Sequence, residues 1–189
     1  LKNEHKNTER IILGIDPGTN LLGYGLIKIQ GKAISVICYG VIELQKYANQ
    51  ALKLKRISER MYDLIEEYKP DEMALESPFL GKNIQVALKL GRAQGVAMAA
   101  ALVKQIPIAE YAPRKIKQSV TGNGNASKEQ VAAMLQKILQ LKEDNIIVDA
   151  TDALGVAVCH HFQTQNGSFT MGKMSNWSAF VKENPNRVK

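Results

Sequence analysis

The chain has 189 residues, a net charge of +7, 45% hydrophobic and 23% charged residues, the size and balance of one ordinary globular domain. Such a composition excludes a mainly disordered chain. Its longest unbroken apolar run, residues 96–103, is too short to span a bilayer, which argues against an integral membrane protein.

The chain opens with LKNEHKNTER, polar and charged, without the apolar stretch of an export signal. The missing initiator Met reads as processing or trimming. IILGID (11–16) is an apolar run that ends in an acid at Pro17-Gly18, the pattern of a buried strand stopping at a turn. YGLIKI (24–29), a turn at Gln30-Gly31-Lys32 and AISVICYGVIEL (33–44) predict two more strands and an antiparallel meander. Gly23 and Gly25 are expected to allow close strand approach, and Tyr24 between them to pack near the active site. Ile57, Met61, Leu64, Ile65 and Tyr68 recur with helical spacing, predicting an amphipathic helix over 50–68 that Pro70 ends. EMALE (72–76) is a fourth strand, again ending in an acid. Residues 82–104 form a long Ala- and Gly-rich helix, and Gly91 and Gly95 leave one face bare enough for another backbone to approach. IPIAEY (106–111) suggests a fifth strand and 113–121 a short helix, followed by a TGNGN loop. Ser127 and Gln130 match a capping box for a helix with Val131, Leu135, Ile138 and Leu139 inward. LKEDN (141–145) reads as loop, and a last helix covers about 149–162 with Leu154, Val158 and His161 on one face. The order β-β-β-α-β-α-β-α-α-α predicts an α/β fold, a mixed five-stranded sheet with helices on its faces. Three parts are expected: an N-terminal extension (1–10), the domain (11–162) and a polar tail (163–189), in which Trp177, Phe180 and Val181 are spaced to dock as one helical turn. Cys38 and Cys159, 121 residues apart, are no disulfide framework, and a reducing cytoplasm is the expected location.

Charge is unevenly placed. Residues 80–128 hold eight bases (Lys82, Lys89, Arg92, Lys104, Arg114, Lys115, Lys117, Lys128) against one acid, Glu110, a stretch that attracts a phosphate backbone. Four acids also stand out. Asp16 and Glu76 end predicted strands too apolar for sheet edges, hence central and adjacent, while Asp149 and Asp152 sit three apart on the last helix. Singly, each is explained as a turn residue or by the helix dipole. Together, carboxylates gathered at one end of a sheet repel unless protonated or holding a cation. Oxygen donors of this kind suit Mg²⁺ or Mn²⁺ rather than Zn²⁺, and two such ions about 4 Å apart promote phosphodiester hydrolysis. Cys159-His160-His161 lacks a second pair at zinc spacing; basic side chains at a helix C-terminus are favourable without a metal.

IILGIDPGTNLLGYGLI, ALESPF, ALKLGRAQGVA, KQSVTGNGNASKEQV and DATDALGVAV follow one another in the order and spacing of the RuvC family of Holliday-junction resolvases, which the chain resembles over about 11–162. The resemblance implies an RNase H-like fold and a homodimer. It implies Mg²⁺-dependent symmetric nicking of four-way DNA junctions in recombination and repair, leaving 5′-phosphate and 3′-hydroxyl ends. The family's acidic quartet falls on Asp16, Glu76, Asp149 and Asp152, as metal-binding and catalytic residues. Its junction-stacking aromatic falls on Phe79, and its functional lysines on Lys117 and Lys128. Lys82, Arg92 and Arg114 are expected to add contacts to DNA, and the 82–104 helix to form the dimer interface. A branch-migration complex of the RuvA and RuvB type is the implied partner, and two metal ions per site the implied cofactor, with Mn²⁺ as a substitute. In the Glu76-Ser77-Pro78 run the familiar Gln after the acid is replaced, and Pro78 stiffens the path to Phe79. Three other readings stand beside this one. An RNase H-like nuclease of ribosomal-RNA precursors would lack the 117–128 segment. A silent junction binder has no need of all four acids. A sugar-kinase-like ATPase needs a longer chain and a second phosphate loop.

Overall fold

The computed structural model describes residues 9–78, 83–141 and 148–165. Its elements, in chain order, are β1 (Glu9–Asp16), β2 (Leu21–Gln30), β3 (Ala33–Glu43), α1 (Gln50–Tyr68), β4 (Glu72–Glu76), α2 (Ile84–Val103), β5 (Ile108–Tyr111), α3 (Pro113–Thr121), α4 (Lys128–Leu139) and α5 (Val148–Thr164). One sheet runs in the order β3-β2-β1-β4-β5. The first three strands are antiparallel neighbours, joined at the hairpin by Gly31 with φ 62°, and β4 and β5 add in parallel. The α/β architecture with helices on both faces is the one the apolar runs imply, and it is RNase H-like.

β1 is central because it is apolar on both faces. Leu13 and Ile15 face α1 and α2, joining Leu64, Met61, Met73 and Ala97 in one core. Ile12 faces the other way, toward Leu135, Leu154 and Val158. Along that second face α5 lies against β1, β2 and β4. Two glycines admit it. A Cβ on Gly14 would stand 2.1 Å from the Ala153 carbonyl oxygen, and one on Gly25 would meet the Leu154 side chain at 2.8 Å. The expectation of close strand approach is thus corrected at Gly25: what comes close is a helix.

Tyr24 is corrected too. Gly23 pairs with Asp16 across the β1–β2 ladder, so Tyr24, one residue on, points to the opposite face. There its ring lies beneath the Arg60 guanidinium, 4.9 Å from the centroid, and its hydroxyl accepts a 2.8 Å hydrogen bond from Arg60.

α2 is apolar on average although its longest unbroken apolar run is short. It is the described helix that has the length and mean hydropathy (1.3) to cross a membrane, with 28% of that window buried. Lys89 and Arg92 interrupt it without lowering the average enough. Ala93, Ala97, Ala100 and Ala101 pack into the core, while Ile84, Leu88, Leu102 and Val103 are exposed.

Along the α5 face of the sheet, Glu72, Tyr111 and His160 form a polar network. His160 donates from Nε2 to the Glu72 carboxylate at 2.6 Å and accepts from the Tyr111 hydroxyl on Nδ1 at 2.7 Å. Arg10 donates to Thr164 at 2.9 Å and lies 3.7 Å from Glu72. The two histidines therefore serve this network, where helix-end electrostatics had been expected to account for them. Cys159 is buried and directs its thiol to Ser119; both cysteines are free. Burial raises the Glu72 carboxyl, but the His160 hydrogen bond and the Arg10 and histidine charges outweigh it, leaving Glu72 below the usual range.

Candidate active site

Asp16 and Glu76 both arise where a buried strand runs out. Ile15 pairs with Leu75 in the parallel β1–β4 register, so the two acids are the next residues on neighbouring strands. Asp16 faces the side covered by α5, since it lies one residue beyond the inward-facing Ile15. The turn after it cannot take a side chain at Gly18, where a Cβ would meet the Leu21 carbonyl oxygen at 1.8 Å.

Around these acids opens a cavity of about 210 Å³, lined by Asp16, Glu76, Pro113, Ile116, Lys117, Lys128, Val131 and Asp152. α5 brings Asp152 in over the sheet. α3 begins at Pro113, whose fixed φ suits a first helical position, and carries Lys117 one turn later. α4 starts at Lys128 behind the Ser127–Gln130 capping box, in which each side chain satisfies the other's backbone N–H. The cap fixes the helix start, and with it the root of Lys128.

Among the described residues, then, one cavity collects three of the four expected acids and both expected lysines. Asp149 lies in the first turn of α5, and its side chain is outside the described residues, as are Phe79 and Lys82. Arg92 is exposed on α2, away from the cavity. Arg114 is exposed on α3 beside the TGNGN loop, close enough that a Cβ on Gly124 would meet its Cγ at 2.7 Å. The apolar walls, Pro113, Ile116 and Val131, carried no chemical signal in the sequence. Helical spacing placed Val131 inward, but not against this cavity.

Electrostatics mark the cavity as short of positive charge near Glu76. Burial pushes the Glu76 carboxyl above its ordinary range, the Asp152 charge adds to this, and Lys128 and Lys117 oppose it without cancelling it. Lys128 Nζ instead sits 2.9 Å from Asp152 Oδ2, with 62% of the lysine side chain exposed. Among the described residues no three His, Cys, Asp or Glu side chains are close enough together to hold a metal ion. The donor chemistry is carboxylate oxygen throughout, which fits a hard divalent cation.

Comparison with known proteins places the chain. The family model for crossover junction endodeoxyribonuclease RuvC matches residues 12–160. The chain is 62% identical over 188 residues to the crossover junction endodeoxyribonuclease RuvC of Cytophaga hutchinsonii, covering 100% of this chain and 92% of that one. It is 55% identical over 185 residues to that of Porphyromonas gingivalis, covering 96% and 98%. Among solved structures, T. thermophilus RuvC in complex with Holliday junction substrate superposes with a TM-score of 0.78 at 30% identity, over 83% of this chain and 96% of that one. With the sheet order, the position of the acids and these likenesses in agreement, the chain belongs to the RuvC family of crossover junction endodeoxyribonucleases.

Proposed function

We propose that this cavity is where the chain, a structure-selective endonuclease of Holliday junctions, cuts DNA. The observation that carries the assignment is the convergence of Asp16, Glu76 and Asp152 with Lys117 and Lys128 on one cavity at the sheet end. In this reading Asp16, Glu76, Asp149 and Asp152 hold Mg²⁺, or Mn²⁺ in its place, with two ions per site. When bound, the ions supply Lewis-acid activation of water and of the leaving oxygen. Asp16, on the central strand, would hold the ions together with Glu76 and Asp152, and Asp149 would bind metal or orient the attacking water. Lys117 lies against the scissile phosphate and offsets the charge that grows on its oxygens during in-line attack. Lys128, paired with Asp152 and 62% exposed, would contact the scissile phosphate or grip the DNA backbone. Phe79 stacks on junction bases, while Lys82, Arg92 and Arg114 contact the DNA backbone. The products carry 5′-phosphate and 3′-hydroxyl ends.

Symmetric cutting needs two sites related by a two-fold axis. We assign the dimer interface to α2, where exposed Ile84 and Leu88 precede Gly91 and Gly95 at helical spacing and neither glycine has a neighbour within 4 Å. A branch-migration complex of the RuvA and RuvB type is the proposed partner, and the cytoplasm the proposed location.

End-labelled four-way junction and matching linear duplex, each with Mg²⁺ and with EDTA, test the reading. Paired symmetric nicks on the junction alone, absent with EDTA, are expected. Asp16→Asn is expected to keep junction affinity and to lose nicking by more than about 100-fold, since disturbing even the partners of metal ligands costs 10–100-fold. A variant that still nicks at the wild-type rate removes Asp16 from the chemistry.

A further inference from the structure

Away from the acidic cavity, a second opening of about 230 Å³ lies between the end of β3 and the first turns of α1, lined by Val41, Ile42, Glu43, Lys46, Tyr47, Arg56 and Arg60. It sits at the same end of the sheet as Asp16, because Glu43 pairs with Leu21 at the start of β2 and Asp16 pairs with Gly23 two residues on. Lys53 ties the two regions together, donating from Nζ to the Thr19 carbonyl at 3.3 Å, in the turn that follows Asp16. Lys53, Arg56 and Arg60 are spaced i, i+3 and i+7, so they share one helix face. We propose that this notch grips the phosphates of a duplex arm as it leaves the junction.

Two features support it. The first is charge arrangement along α1. Within the helix, residues 50–60 contain Lys53, Lys55, Arg56 and Arg60 against the single acid Glu59, and residues 61–68 contain Asp63, Glu66 and Glu67 with no base. The first turn holds no acid and the last turn no base. This order opposes the helix dipole, which favours acids at the start and bases at the end. A helix arranged against its own dipole gains nothing in folding from it, whereas an anion at this end meets cations and dipole with the same sign. The second feature is how the cations are held. Arg60 is fixed by the Tyr24 hydroxyl and ring. Lys46 and Arg56 lie 2.5 Å from Glu43 and 3.8 Å from Glu59, with side chains 67% and 39% exposed, and exposed pairs of that kind yield readily to a phosphate.

The proposal rests on the reading that the substrate is branched duplex DNA. The test compares junctions with arms of about 7 and about 25 base pairs, or ~24 and ~85 Å at about 3.4 Å per step. Binding is measured in EDTA over a salt series for wild type, the Lys46→Ala/Arg56→Ala double variant and Glu43→Gln. On long arms the double variant is expected to bind about tenfold more weakly, with the salt slope reduced by about 2, one per lost phosphate contact. On short arms it should match wild type, and its single-turnover nicking of the short-arm junction should be unchanged. Glu43→Gln, which releases Lys46 without removing a cation, should tighten long-arm binding about twofold to threefold; a gain cannot come from misfolding. Equal losses on both arm lengths, or unchanged long-arm affinity and slope, overturn the proposal while leaving the nuclease reading intact. Failure of wild type to bind either junction overturns both.

Discussion

Glu76 and Glu72 stand at opposite ends of the same five-residue strand and titrate in opposite senses. Burial and Asp152 hold the Glu76 proton more tightly in the fold than in the unfolded chain. A group of this kind contributes stability at low pH, and the contribution is lost as pH rises from the ordinary glutamate range through the raised value. Metal-free Glu76→Gln should therefore be more stable than wild type at pH 7–8, with the difference fading below about pH 4. Urea midpoints in EDTA across pH would measure it, and a variant less stable than wild type at pH 8 would contradict it. Glu72 runs the other way, its carboxyl held down by His160, Arg10 and His161 against the cost of burial. Its contribution is present above the ordinary glutamate pKa and disappears as pH falls through the lowered one. Glu72→Gln should cost about 1.5–3 kcal/mol at pH 7, the range for a hydrogen bond to a charged group, and the cost should shrink in acid. A constant difference from pH 7 to pH 3 would show that packing, not charge, is responsible.

At the level of elements, α4 is short and its start matters more than its length. The reciprocal Ser127–Gln130 cap sits one residue before Lys128. Ser127→Ala should cost about 1 kcal/mol of stability and lower nicking further than that loss explains, because the root of Lys128 frays. Equal kcat for the variant and wild type at a temperature where both are folded would remove the positioning role. The cap was legible in sequence because its two side chains are three residues apart. So were the acid-terminated strands, where an apolar run meets a turn. The Lys128–Asp152 pair spans 24 residues and two helices, and no local pattern reports it. Gly14 and Gly25 are a similar case. Their composition announces a close approach, but only the docking of α5 says what approaches. The face of Tyr24 was available in principle, since alternation along β2 separates it from Gly23, and the register with Asp16 supplies the missing half. The apolar cavity walls look like any core residue until the helices that carry them meet.

For the whole molecule, the open question of assembly turns on α2. In the single chain, a Cβ at Gly91 meets nothing within 4 Å, so Gly91→Ala in an isolated protomer should stabilise the helix by about 1 kcal/mol. If a second backbone lies on that face, the same change weakens association. We expect the second outcome: a lower-affinity dimer by sedimentation velocity at micromolar concentration, with reduced paired nicking. A variant that is both more stable and fully dimeric would move the interface elsewhere.

α5 is the last element among the described residues, and it both roofs the central strands and brings Asp152 to the cavity opened by Asp16 and Glu76. Those acids span most of the chain, so no local segment carries a working fragment of the site. During synthesis, domains form from the N-terminal side as the chain emerges. On the proposed roles of these acids, the sheet and its first helices leave the ribosome without Asp152, and chemistry would become available only when nearly all of the domain has been made. A truncated product that ends before α5 carries basic surface without Asp152, so on the proposed roles an interrupted round of translation would release no competent DNA-cutting fragment.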